Sequence, residues 1–135
     1  MGAWGCVLDD GHGEGIVKVY VASKWENKKR VQEVMSLLKA SHHEITYDWT
    51  HCEVSNREQA ILDLRGVAEA DVVIGIFEDD VAYKGALVEV GAALALGKPV
   101  YVVGNAPVVD LCIFFKHPNV HLGEDKFLLD FCGGR

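Results

Sequence analysis

The sequence predicts an α/β fold: one doubly wound, five-stranded parallel sheet with helices on both faces. Two observations carry this. Short runs such as Ile16–Ala22, Val72–Phe77 and Val100–Val103 are mostly apolar along their whole length, as strands covered on both faces are. The segments between them have the 3.6-residue apolar period of helices, and strand–helix alternation of this kind builds parallel sheets.

Each element has its own signal. Residues 1–15 end in Asp9-Asp10-Gly11-His12-Gly13-Glu14-Gly15, have no periodicity and read as a flexible tail ahead of a single domain over 16–135. Ile16–Ala22 is the first strand. Val31, Val34, Met35 and Leu38 recur at helical spacing and mark a helix from Glu26 to Ala40. Glu44–Thr50 reads as the second strand. Ser55 or Asn56 caps a second helix, with Ile61, Leu64 and Ala68 as its core face. Val72–Phe77 is the third strand. An acidic loop, Glu78-Asp79-Asp80, leads to a helix over Gly85–Gly97 that stops at Gly97-Lys98-Pro99. Val100–Val103 is the fourth strand. A short helix around Val108–Phe115, a strand at Asn119–Leu122 and a last helix at Glu124–Phe131 complete the chain. Five such strands imply flavodoxin-like order 2-1-3-4-5, with ligands bound beyond the C-terminal ends of the first and third strands.

Composition narrows the function classes. The 135 residues are 50% hydrophobic and 24% charged, which fits one soluble globular domain. A net charge of −7 argues against a surface that wraps a nucleic-acid polymer. No apolar run reaches the ~20 residues needed to span a bilayer. The N-terminus lacks a signal-peptide pattern, and Cys6 stands where a myristoylation site wants Ser or Thr. Cys6, Cys52, Cys112 and Cys132 have no zinc-like spacing and read as reduced thiols, so the expected compartment is cytoplasmic. His42, His43, His51 and Cys52 read as solvated loop residues rather than metal ligands, and neither metal nor organic cofactor is expected.

The chemistry concentrates on Glu89. It is the one charge between Gly85 and Gly97, in a helix apolar or small on every side. A carboxylate there loses hydration, and carboxylates so perturbed cluster at functional sites. The first loop, Ser23-Lys24-Trp25-Glu26-Asn27-Lys28-Lys29-Arg30, holds four of the chain's 13 basic residues ahead of a helix N-terminus. Lys28, Lys29 and Arg30 read as a solvated helix face. Ser23, Lys24 and Trp25 are open between a solvated loop and a ligand site, where Trp25 would stack on a base.

Three segments resemble the nucleoside 2-deoxyribosyltransferase family. They are Val19–Trp25, Asp63–Asp71 and Gly85–Pro99, the last with its E-x-G-x-A-x-A-x-G-K-P pattern beginning at Glu89. The similarity runs in order from about residue 17 to 104. It implies that Glu89 attacks the anomeric carbon of a (deoxy)ribose and holds a glycosyl ester until a second base, or water, takes the sugar. It implies that the Tyr20 hydroxyl orients Glu89; from the residues alone, Tyr20 is an ordinary core aromatic. It places the base-handling aspartate at Asp63, which otherwise reads as a surface residue paired with Arg57 or Arg65. The family's sugar-binding aspartate falls on Tyr83 by strict spacing, so Asp79 or Asp80 would substitute. Gly85 joins them as a substrate-binding position. The implied partners are a small nucleoside or nucleotide and a second copy of the chain that completes the site from the segment holding Asn105 and Asp110. Hydrolysis of a nucleoside 5′-monophosphate and nucleotide sensing without turnover remain the alternative readings.

Overall fold

The computed structural model describes residues 16–52, 56–79 and 82–123. In chain order they form β1 (Lys18–Ala22), α1 (Lys28–Ala40), β2 (Glu44–Ile45), α2 (Arg57–Glu69), β3 (Val72–Ile76), α3 (Lys84–Ala95), β4 (Val100–Val103), α4 (Pro107–Leu111) and β5 (Val120–Gly123). The expected tail over 1–15 and the last helix at Glu124–Phe131 lie outside the described residues, as do Ser55 and Asp80.

All pairings are parallel, and the sheet order is β2-β1-β3-β4-β5. The winding direction reverses at β1. Right-handed crossovers therefore put α1 and α2 on opposite faces of the sheet and open a crevice beyond the C-terminal ends of β1 and β3. Both central strands are covered on both sides, as their continuous apolar runs require: Val19–Ala22 and all of Val72–Ile76 are buried. On α1 the expected stripe of Val31, Val34, Met35 and Leu38 faces the core. No helix among the described residues is long and apolar enough to cross a membrane.

Three expectations need correction. β2 covers Glu44–Ile45 rather than Glu44–Thr50. Beyond Thr46 a side chain takes over from the strand: the Trp49 indole N–H donates to the Val21 carbonyl at 2.8 Å, while Asp48 caps the turn Trp49–His51. The helix anticipated over Val108–Phe115 is split at Cys112 into α4 and a 3₁₀ turn, Ile113–Lys116. The third correction concerns α2.

Asn56 caps α2, its Oδ1 accepting from the Gln59 amide at 2.9 Å. Yet Ile61, Leu64 and Ala68 are exposed, and the buried positions are Gly66 and Val67. The reason is close approach. A Cβ on Gly66 would lie 2.9 Å from Tyr20 Cδ1 and 2.9 Å from Tyr47 Cβ, so only glycine lets the helix backbone rest on these rings. Gln59, Asp63 and Gly66 follow one another at helical spacing along this side, which brings polar groups toward Tyr20.

Candidate functional site

Tyr20 lies in the middle of β1, and Glu89 lies on α3 between the buried Ala86, Val90 and Ala93. The Tyr20 hydroxyl donates to Glu89 Oε2 at 2.8 Å. Tyr20 is fully buried and Glu89 is 8% exposed. Burial pushes the Glu89 carboxyl up to about 8; the Tyr20 hydrogen bond pulls it down, and the charge of Asp63 pushes it further up. Burial, then the neighbouring carboxylates Glu89 and Asp63, raise Tyr20 far above the ordinary phenol range, so it remains a neutral donor.

Asp63 completes the group from α2. Burial raises its carboxyl above the usual range, opposed by a hydrogen bond from Gln59 Nε2 at 3.3 Å. Its partner is thus Gln59 rather than Arg57 or Arg65. Two carboxyl groups from different helices bear on one buried phenol, Glu89 through a hydrogen bond and the half-buried Asp63 through its charge. Such a set can supply a desolvated nucleophile and a separate carrier of one proton.

A second group forms at the C-terminal ends of β1 and β3. Ser23 Oγ donates to the Ile76 carbonyl at 2.8 Å and accepts from Asn27 Nδ2 at 3.2 Å. The Lys24 ammonium is buried, pairs with Asp79, and sits 4.8 Å from the centroid of the Tyr83 ring. Tyr83 Oη accepts from the backbone N–H groups of Glu78 and Asp79 at 3.0 and 3.1 Å and donates to Asp79 Oδ1 at 3.2 Å. Asp79 is therefore held on two sides.

The basic face is not simply solvated. Arg30 makes a two-nitrogen contact with Glu78, through Nε and Nη2, both at 3.1 Å. Trp25 is 37% exposed, but Lys28 Nζ lies 4.2 Å above its ring. Gly85 is exposed in the first turn of α3 with open space where a Cβ would be, so crowding does not demand glycine there. Asp80 lies outside the described residues.

Sequence reasoning missed Tyr83, Glu78, Gln59 and Gly66. Tyr83 had a signal, since it occupies the spacing where an aspartate was sought. Glu78 and Gly66 act on partners distant in sequence, and Gln59 on both Asp63 one turn along its helix and Tyr47 in the preceding connection.

Two cavities lie apart from Glu89 and Asp63. One of about 500 Å³ is lined by Asp79, Tyr83, Lys84, Leu87, Pro107 and Val108 among others. Another of about 650 Å³ lies between α3 and Phe114, lined by Val88, Gly91 and Leu94. Neither is lined by Tyr20 or Glu89. The perturbed carboxyl groups make a better candidate site than either cavity, because desolvation and charge coupling bear directly on chemistry. Among the described residues no group of three or more His, Cys, Asp or Glu side chains is arranged to hold a metal. His43 Nδ1 accepts from the Val17 amide at 3.2 Å.

Comparison with known proteins bears on the family and the fold. Residues 19–118 match the family model of nucleoside 2-deoxyribosyltransferase. The fold is shared with a CMP N-glycosidase of Clostridium botulinum, with a TM-score of 0.61 and 22% identity over 84% of this chain and 96% of that one. A 2-deoxyribosyltransferase of the psychrotolerant bacterium Bacillus psychrosaccharolyticus gives 0.55 and 28%, over 67% and 74% of the two chains. No curated protein matches the sequence.

Proposed function

The chain belongs to the nucleoside 2-deoxyribosyltransferase family, and on that premise we propose that it cleaves or exchanges the N-glycosidic bond of (deoxy)nucleosides through a glycosyl ester on Glu89. The observation that carries this reading is the buried 2.8 Å hydrogen bond from Tyr20 to the lone carboxyl of α3. It restrains the carboxylate's rotation and favours its anionic form, while burial strips the water that would blunt its attack.

In the first half-reaction a Glu89 oxygen bonds to the anomeric carbon as the carbon–nitrogen bond breaks. The electron pair leaves with the base, and Asp63 supplies a proton to a ring nitrogen. In the second, an acceptor base or water attacks the same carbon, the ester bond breaks, and Asp63 takes a proton back. Inversion at each step gives net retention, as in retaining glycosidases. Asp79, steadied by Lys24 and Tyr83, serves the sugar hydroxyls in place of the aspartate that Tyr83 displaces. Ser23, Trp25 and Gly85 line the approach to the site, and Asp80 is carried with them from the sequence.

The paired cations favour a nucleoside over a 5′-monophosphate. Lys24 and Arg30 already face Asp79 and Glu78, so a phosphate would have to displace a carboxylate to reach either. Turnover of the monophosphate is the second reading, favoured by the burial of Lys24 beside the crevice. Incubating the protein with deoxynucleosides, their 5′-monophosphates and a free acceptor base, with chromatography of the bases, tests both. Base exchange on nucleosides is expected; no base released from any substrate would refute the proposal.

A further inference from the structure

Gln59 stands one helical turn from Asp63, and its single amide nitrogen serves two acceptors: Asp63 Oδ1 at 3.3 Å and Tyr47 Oη at 2.9 Å. Tyr47 Oη in turn lies 3.3 Å from Cys52 Sγ, where either atom can be the donor. The four side chains thus form a line from a thiol to the carboxyl group. Given the reading of Asp63 as the proton carrier, this line has a useful property: each of its members can reverse.

When Asp63 is ionised it only accepts, so the Gln59 NH₂ must face it, and the second N–H goes to Tyr47. The Tyr47 O–H then points at the Cys52 sulfur. When Asp63 is protonated its O–H needs an acceptor. A half-turn of the Gln59 amide presents Oε1, which takes hydrogen bonds from both the Asp63 and the Tyr47 hydroxyls. The Cys52 S–H then donates to Tyr47 Oη. No proton moves along the line, and Asp63, Tyr47 and Cys52 each keep a partner in both states. A carboxyl group fixed by an arginine or a backbone N–H would lack this symmetry, because such partners only donate.

We infer that Gln59, backed by Tyr47 and Cys52, is a positioning residue that holds Asp63 at the leaving base in both its protonation states. Among the described residues, the charged and titratable groups around Asp63 are Tyr20 from β1, Glu89 from α3, and Tyr47 with Cys52 from the β2–α2 connection.

The test has two readouts on the full chain. The first is the ¹⁵N-resolved side-chain amide signal of Gln59 followed through pH. It should move with the Asp63 titration and lose that movement in Asp63→Asn. A Gln59 signal that ignores Asp63 overturns the inference, whatever the enzyme turns over. The second is dependence on the leaving group. With a purine deoxynucleoside, Gln59→Leu should lower kcat by about tenfold or more, a part of what general acid catalysis contributes. With the N7-methylated analogue the base already carries the positive charge that protonation supplies, and the loss should stay under about twofold. Equal losses on both substrates would mark a merely structural role and overturn the inference. Should Gln59→Leu not fold, Tyr47→Phe removes one oxygen and carries the same comparison. If the wild-type protein turns over neither substrate, the proposed function fails, while the titration still decides on Gln59.

Discussion

Replacing Glu89 with glutamine should abolish turnover and, at alkaline pH, make the protein more stable. The acid's ordinary value of 4.5 is raised to about 8 in the folded chain, chiefly by burial. Between these values the unfolded chain has lost the proton that the folded chain retains. The folded state therefore binds more protons there, and stability falls as pH rises through that window. The slope from this group is up to about 1.4 kcal/mol per pH unit, so the whole window is worth on the order of 5 kcal/mol. Stability from Glu89 is fully present below pH 4.5 and gone above about 8. Glutamine keeps the shape of the protonated acid, can still accept from Tyr20, and does not titrate. Glu89→Gln should thus match the wild type near pH 4.5 and exceed it by several kcal/mol above pH 8. Urea unfolding at fixed protein concentration across that range, extrapolated linearly, measures the difference. Parallel pH dependence of the two proteins would refute the reasoning, since it would mean that Glu89 ionises as though in water. Loss of the covalent route should lower kcat on the order of 10³-fold or more, ~4 kcal/mol of barrier.

Three further outcomes are expected. The free enzyme needs Glu89 ionised and Asp63 protonated, so kcat/KM should follow a bell in pH with one limb near 8, and a flat profile would contradict the assignment. Lys24→Ala releases Asp79 and should raise KM for nucleosides several-fold with little change in kcat; a loss confined to 5′-monophosphates would favour the second reading. The chain should be at least dimeric, with a neighbour near Glu89. Phe115 packs edge-on against Phe77 at 5.2 Å, whereas Leu111, Ile113, Phe114 and Val88 are among the exposed apolar side chains. Phe114→Asp should shift light scattering toward the 14.8 kDa monomer and reduce activity, whereas an active wild-type monomer would exclude the assembly.

The parts legible in the sequence are those set by local pattern. Continuous apolar runs marked β1, β3 and β4, period-3.6 spacing marked α1, and one charge in an apolar helix marked Glu89. The stripe of α2 misled because its inward residues include Asp63 and Gly66, so counting apolar side chains selected the exposed side. The length of β2 misled because a Trp49 indole replaces backbone pairing, and indole and strand look alike in a β-favouring run. The first loop's cations looked available because their partners, Glu78 and Asp79, arrive some fifty residues later. The expected strand order brings the two loops to one crevice, but which side chains pair across it depends on packing that the order alone does not give.

The central claim is a covalent bond to Glu89, and the most direct measurement is mass spectrometry of the enzyme quenched in acid during turnover of a deoxynucleoside. The peptide containing Glu89 should carry the added mass of one deoxyribosyl group, absent before substrate is added and absent in Glu89→Gln. Turnover with an unmodified Glu89 peptide at every quench time, or the same added mass on another residue, would contradict the account.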